Sequence, residues 1–246
     1  MKKTPFLCLL AVLMMAACGS KQSDTVHSDA ISNHKNAPGD SAIYGLACDG
    51  CTDSIIVFLP FSGGDPDTFD IIQAHQEHRL YGRPHIGDEL AVIVNHQNRH
   101  EALMVIDLEA LKATWCYMAT PRLRKRDMQT REATEPIPDS VLKTLLEPRE
   151  FSIRLKTDNT VTTHGGWHRP TTSDDAGPVE YPQLRRYTEW RVWNGRLILK
   201  ADTISGFSKD GELPQTDTAD IQLLMQDSLV LRFADHEQSY YRKQTE

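Results

Sequence analysis

Apolar and polar residues alternate in short segments through the carboxyl-terminal half of this chain, and turn sequences separate the segments. Every second residue of segment 151–155 is apolar, and the Asp158-Asn159 pair that follows is typical of a tight turn. Residues 187–193 lead in the same way through Asn194-Gly195 into residues 196–200. Alternation with a period of two predicts β-strands with one buried face, and Asn-Gly is typical of a two-residue hairpin. This half of the chain is therefore predicted to form an antiparallel sheet.

A third hairpin and two outer segments bring the number of predicted strands to about eight. Residues 221–225 and 229–233 flank a turn at 226–228, while 113–118 and 239–243 lie at the two ends of the region. Eight antiparallel strands suit an up-and-down β-barrel in which inward residues alternate along each strand. The residues predicted to point into its shared interior include Leu155, Leu199, Ile221, Leu223, Met225, Leu229, Leu231 and Phe233.

One short helix is predicted between the first strand of this barrel and the others. Asp139 or Ser140 can cap its amino-terminal end. Pro148 ends it after Glu147, since proline cannot continue a helix.

The amino-terminal part of the body also has a strand pattern, with shorter spacing. Five apolar runs alternate with turn chemistry, at residues 43–46, 54–59, 68–74, 90–95 and 102–107. They predict a mainly β chain with a small barrel or rolled sheet over residues 42–107. This sheet is expected to pack against the larger barrel at residues 108–246, because two of the strands are apolar at consecutive positions and so need cover on both faces.

The first residues have the layout of a secretory signal. Lys2 and Lys3 precede the apolar stretch 6–15, and small residues lead to Cys18. This stretch is much shorter than the roughly 20 residues that span a bilayer as a helix. Small residues before a cysteine resemble the bacterial lipobox, which implies cleavage after residue 17 and a lipid such as palmitate on Cys18. The alternative is an ordinary cleaved signal in which the cysteine is coincidental.

The segment after Cys18 is polar and has the composition of a flexible tether, over residues 18–41. The expected location is therefore the bacterial cell envelope, on the outer membrane, with the membrane as a partner through the lipid. The whole chain has a net charge of −7, and removal of Lys2 and Lys3 with the signal leaves −9. An acidic body of this kind argues against nucleic acid as a partner.

Several motifs in the larger predicted barrel resemble the lipocalin-like domains of bacterial lipoproteins. They are Thr114-Trp115, the hairpin 151–160, the stretch Trp190-Arg191-Val192-Trp193-Asn194-Gly195-Arg196-Leu197 and the closing segment 227–231. The resemblance covers residues 108–246 and implies a barrel that binds a ligand. It carries no catalytic residue across, because the motifs are architectural.

A second resemblance lies upstream, in residues 44–51, which end in Cys48-Asp49-Gly50-Cys51 ahead of a strand. This pattern is similar to the start of the NlpE family of copper-response outer-membrane lipoproteins. It implies a role in adhesion or in sensing metal stress.

Three chemical roles are considered for the cysteines that follow the anchor. With Cys8 in the signal and Cys18 lipidated, Cys48, Cys51 and Cys116 remain. Cys48 and Cys51 can form a small structural disulfide in an oxidising compartment, bind Cu(I) through soft sulfur, or cycle as a redox dithiol. Apart from this copper alternative, no cofactor is expected.

A pocket is the second candidate site. If side chains fill the barrel interior only in part, five residues are expected to line a pocket for a small apolar or amphipathic ligand: Trp115, Trp190, Leu199, Leu223 and Phe233. The leading hypothesis is therefore a non-enzymatic envelope lipoprotein that acts in ligand binding, envelope sensing or assembly with another envelope protein. A copper or thiol-redox lipoprotein is the alternative, and a hydrolase whose site is assembled only in space is the third.

The anchor hypothesis makes a direct prediction for Cys18→Ser. Cells fed an alkyne-tagged palmitate analogue should label the wild-type chain, and the variant should lose the label, because serine offers no thiol for acylation. Cys8→Ser, which lies within the signal, should keep it. Equal labelling of wild type and Cys18→Ser would contradict the anchor.

Overall fold

A computed structural model of the chain describes residues 38–123, 138–165, 179–180, 185–202, 207–208, 211–212 and 215–244. Strands dominate these residues, and the helices are short. The strands are β1 (Ala42–Ala47), β2 (Ile55–Pro60), β3 (Asp67–Asp70), β4 (Leu80–Tyr81), β5 (Glu89–Val94), β6 (Ala102–Asp107), β7 (Thr114–Ala119), β8 (Arg122–Leu123), β9 (Arg149–Leu155), β10 (Val161–His164), β11 (Val179–Glu180), β12 (Tyr187–Trp193), β13 (Arg196–Ala201), β14 (Phe207–Ser208), β15 (Gly211–Glu212), β16 (Thr216–Leu224), β17 (Ser228–Arg232) and β18 (Glu237–Arg242). The helices are α1 (Ile72–Gln76), α2 (Leu108–Leu111) and α3 (Asp139–Leu145).

Eight antiparallel strands form the larger sheet, in the order β10-β9-β7-β18-β17-β16-β13-β12. Its two edge strands meet at an isolated bridge between Thr160 and Glu189, where Trp190 N also donates to Asn159 O at 2.8 Å. With β7 beside β18, neighbours around the sheet follow the order of the chain. The predicted up-and-down barrel is thus confirmed.

Two predicted hairpin turns have the backbone that their residues favour. Asn159 has a φ of 61°, and Asn194 and Gly195 have φ values of 49° and 74°. Two successive left-handed residues are what a two-residue hairpin loop of type I′ requires. A Cβ at Gly195 would also lie 2.4 Å from Met104 Sδ in the smaller sheet, so a larger residue there would require the Met104 side chain to move.

The inward set on β16 differs from simple alternation. Ile221 pairs with Leu231 and Leu223 pairs with Val230, so one extra residue lies between the two pairs as a bulge. The bulge shifts the inward position from Leu223 to Leu224, which is 3% exposed. Leu223 is only half-buried, and Met225 is 56% exposed. The prediction that Leu223 and Met225 share the interior was therefore wrong.

The smaller sheet is rolled, with the order β3-β2-β1-β5-β6-β4. Its roll closes where Asp70, at the end of β3, forms a parallel bridge with Glu101 and donates its N–H to His100 O at 2.7 Å. Of the strand predicted at residues 68–74, only the first part is extended, because α1 begins at Ile72. Phe58, Phe69 and neighbouring apolar side chains fill the interior of the roll.

The rolled sheet packs on one end of the barrel, as predicted. Tyr44 Oη donates to Val192 O at 3.0 Å, and Gly82 N donates to Leu224 O at 3.0 Å. Both acceptors lie at strand ends on the side where β7 begins. We call this side the covered end, and we call the opposite side, where β9, β12 and β18 begin, the distal end. One apolar cluster runs from Ala91 and Ile106 of the roll into the barrel interior.

Short helices connect the strands. α3 forms where a helix was predicted, but Pro138 occupies its N-cap position without a side-chain hydrogen bond, and Asp139 lies inside the first turn. The predicted cap by Asp139 or Ser140 was therefore wrong. Two further helices, α1 and α2, were not predicted. Within the part of the chain that the structure describes, no helix has the length and apolar character needed to cross a bilayer.

The bulge in β16 predicts unequal costs for two adjacent truncations. Leu224→Ala should lower the free energy of unfolding by about 2–5 kcal/mol, because it empties a buried site. Leu223→Ala should cost clearly less, since that side chain is already half in contact with water. Urea unfolding of both variants measures the difference, and a larger loss for Leu223→Ala would contradict the register.

Asp107 predicts a pH dependence of stability. Its Oδ1 accepts from Ala110 N at 2.9 Å, and the side chain is 2% exposed. Burial raises the pKa of this carboxyl to about 6. Because the unfolded chain ionises it at lower pH, its contribution is complete below about pH 4 and is lost as pH rises towards 6.

Asp107→Asn should remove this part of the pH dependence, because the amide keeps a cap but does not ionise. Denaturant unfolding between pH 4 and pH 7 checks the prediction. Asp53→Asn, at an exposed loop position, should retain the wild-type slope. Parallel curves for wild type and Asp107→Asn would rule out the assignment.

Candidate ligand-binding site in the barrel

The barrel interior towards the covered end is packed with side chains. Trp115, Trp190 and Leu199 are 0%, 2% and 0% exposed and belong to one cluster. Both indole N–H groups are satisfied, since Trp115 Nε1 donates to Leu111 O and Trp190 Nε1 donates to Lys156 O, each at 2.9 Å. Both indoles are therefore part of the packed core, and their N–H groups already have partners.

Of the five residues expected to line a pocket, these three lie together, Phe233 packs against the same cluster, and Leu223 does not belong to it. Leu223 is set aside by the bulge, and Phe233 is half-buried just after β17. The lining of a pocket by these five residues stays a prediction.

Aromatic side chains gather at the distal end of the same interior. The rings of Tyr117 and Phe151 are stacked, with centroids 5.7 Å apart and planes at 22°. Tyr240 meets Tyr117 edge to face at 5.5 Å and 88°. Tyr117 lies two residues beyond Trp115 on β7 and so points to the same side of the strand. The three rings extend the apolar interior towards the loops.

A polar group adjoins these rings at the start of β12. Tyr187 Oη donates to Asp217 Oδ2 at 2.7 Å, and Arg185 Nη1 forms an ion pair with the other oxygen of the same carboxylate. Both charged side chains are largely buried, at 15% and 21% exposed. These contacts link the start of β12 to β16 across the intervening strand β13. We name Tyr117, Phe151, Tyr187, Asp217 and Tyr240 the distal aromatic cluster.

The tyrosines of the distal aromatic cluster are neutral hydrogen-bond donors. Burial is the first cause that raises the pKa of Tyr117, Tyr187 and Tyr240. Asp217 raises the pKa of Tyr187 further, and Tyr117 raises that of Tyr240. Among the described residues, neither Tyr117 Oη nor Tyr240 Oη has a hydrogen-bond partner. Two phenol hydroxyls are therefore available to a bound molecule.

The distal aromatic cluster was missed in the sequence analysis, although a signal for it was present. Tyr117 is two residues from Trp115 on the same strand, so the alternation that places Trp115 inside also places Tyr117 inside. Cross-strand partners such as Leu229 and Tyr240 become visible only once the register is known. The predicted barrel implies that β7 lies beside β18, but only the register shows which of their residues meet.

The described cysteines form no disulfide in this structure. Cys48, Cys51 and Cys116 are all free. Cys51 Sγ accepts from Val57 N at 3.4 Å and lies 3.2 Å from Cys48 O, so it sits in the turn before β2. The described residues contain no group of three or more His, Cys, Asp or Glu side chains placed to hold a metal ion. Oxidation or copper binding at Cys48 and Cys51 stays a prediction, and Cys18 lies outside the described residues.

Similarity to known proteins is low. No family model matches the sequence, and no curated protein matches it at a significant level. A solved structure described as a lipocalin-like protein from Bacteroides thetaiotaomicron VPI-5482 matches with 16% identity and a TM-score of 0.29, over 55% of this chain and 97% of that chain. A TM-score of 0.29 does not establish a shared fold. The barrel assignment rests on the strand order of the larger sheet. The NlpE resemblance stays a prediction.

Proposed function

We propose that this chain is an envelope lipoprotein, anchored through Cys18, whose barrel binds a small amphipathic molecule at the distal aromatic cluster. The supporting observation is the pair of phenol hydroxyls, on Tyr117 and Tyr240, that lie in an apolar interior without partners among the described residues. A phenol hydroxyl can donate one hydrogen bond to an acceptor on a bound molecule. A ligand with an acceptor would satisfy these two donors.

The surroundings define the chemistry of the ligand. The stacked faces of Tyr117 and Phe151 suit a flat or aromatic body, and neutral phenols suit a carbonyl or ether oxygen. Trp115, Trp190 and Leu199 already fill the interior towards the covered end. The ligand is therefore small, because a long acyl chain would have to displace this core.

Binding without catalysis is the role that this arrangement supports. The distal aromatic cluster offers donors, ring faces and one carboxylate that already bonds Tyr187 and Arg185. The copper or thiol-redox hypothesis at Cys48 and Cys51 is a separate alternative in the rolled sheet. The hydrolase hypothesis has no residues assigned to it.

Prodan, an uncharged naphthalene fluorophore with one carbonyl acceptor, is a suitable probe for the purified protein. Its emission should shift to the blue and saturate with the wild-type chain. The double variant Tyr117→Phe, Tyr240→Phe keeps the rings and loses the hydroxyls. It should weaken binding about fivefold if one hydroxyl bonds the carbonyl and about thirtyfold if both do, since each neutral hydrogen bond contributes about 1 kcal/mol and 1.4 kcal/mol is tenfold.

Tyr241→Phe is the matched control. Tyr241 follows Tyr240 on β18, but its hydroxyl points outward and donates to Glu150 Oε2 at 2.7 Å. This control should bind prodan within about twofold of wild type. Failure of prodan to bind saturably, or equal affinity of the double variant and wild type, would overturn the proposal.

A further inference from the structure

A cleft of about 1000 Å³ lies at the covered end of the barrel, away from the distal aromatic cluster. Its walls carry five basic side chains and a single acidic one, Asp158. The whole chain, in contrast, has a net charge of −7. The basic residues are Lys112, Arg154, Lys156, Arg242 and Lys243. The cleft therefore concentrates positive charge on an acidic protein.

Strand pairing places these cations side by side. Thr114, at the start of β7, pairs with Arg154 on β9, and its carbonyl accepts from Lys243 N at 2.8 Å. Neighbouring strands lie about 4.8 Å apart, so Arg154 and Lys243 flank Thr114 across three adjacent strands. Lys156 follows two residues after Arg154 and so leaves the strand on the same side.

Acidic side chains neutralise only part of this charge. Lys112 Nζ bonds Glu109 Oε1 at 2.6 Å and also pairs with Glu89, while Lys243 Nζ bonds Glu150 Oε1 at 2.6 Å. Among the described residues, Arg154 and Lys156 form no ion pair. Their side chains remain available to a ligand.

Arg242 has no carboxylate partner either, within the described part of the chain. Its guanidinium lies 4.7 Å from the centroid of the Trp115 ring, and Nη2 donates to Ala110 O at 2.6 Å. Its Nε is buried and has no hydrogen-bond partner. Burial lowers the pKa of Arg242, and Asp107 acts on it only from a distance, without an ion pair. An anion in the cleft would therefore add to the stabilisation of this partly buried cation.

We propose that this cleft binds a phosphate-bearing anion through Arg154 and Lys156, with Arg242 adding positive charge from the inward face of β18. Guanidinium groups match the oxygens of phosphate with two parallel hydrogen bonds, and an ammonium adds a compact charge. The phosphate can belong to a free phosphorylated compound or to the headgroup of an anionic phospholipid. The site is distinct from the distal aromatic cluster and does not depend on the function proposed for it.

Titration calorimetry at low ionic strength separates the two sources. One arm adds inorganic phosphate to the purified chain in an uncharged detergent. The other adds phosphatidylglycerol in micelles of that detergent, with phosphatidylcholine as the reference lipid. Saturable heat with inorganic phosphate identifies a free phosphate site, and heat with phosphatidylglycerol alone identifies a headgroup site.

The double variant Arg154→Gln, Lys156→Gln should weaken the observed binding at least tenfold. Its matched control is Arg196→Gln, Lys200→Gln, which removes the same charge from exposed positions paired with Asp220 and Glu189. This control should stay within about twofold of wild type. Absence of saturable binding in both arms, or equal losses in the two double variants, would overturn the proposal. Prodan binding by the same proteins should be unchanged, so the two proposed sites can fail independently.

Discussion

The burial of Trp115 at the covered end is the contact on which the rest of the structure depends. The indole N–H bonds Leu111 O on the connection from the rolled sheet, and the guanidinium of Arg242 lies against the ring. The seam between β7 and β18 has only two registered pairs, whereas β7 and β9 share six. A fully buried aromatic side chain contributes more than a short ladder of backbone bonds. Closure of the barrel and docking of the rolled sheet are therefore coupled through one side chain.

Packing divides the barrel interior into two parts with different roles. Towards the covered end, tryptophan and leucine side chains meet apolar residues of the roll in one cluster. Towards the distal end, tyrosines replace them, and each brings a hydroxyl whose desolvation is costly unless it is bonded. The first part stabilises the fold. The second part contains the hydroxyls of Tyr117 and Tyr240, which have no hydrogen-bond partner among the described residues. Binding capacity thus lies where the aliphatic core ends.

Positive charge is concentrated at the covered end of the barrel. The chain is acidic as a whole, yet cations from β9, β18 and the α2 connection meet in the cleft at the covered end. Carboxylates from the roll and from β9 neutralise Lys112 and Lys243. Arg242 instead contacts the Trp115 ring and the Ala110 carbonyl, and no ion pair neutralises it among the described residues. The two proposed sites therefore differ in chemistry, one neutral and aromatic and the other cationic, at opposite ends of one barrel.

Local patterning was sufficient to predict most of the strands in the two large sheets, the Asn-Gly and Asp-Asn turns, the eight-stranded barrel and the inward positions of Trp115, Leu199 and Leu231. These features depend on a period of two and on residues that accept positive φ, both of which can be read along the chain. Tertiary structure alone decided the bulge that exchanges Leu223 for Leu224, the helix α1 that begins at Ile72, and the meeting of Tyr117 with Tyr240. The bulge depends on the register between β16 and β17, and the tyrosine contact depends on strands at opposite ends of the domain. In both cases the energy of burial across strands overrides the preference of any single segment.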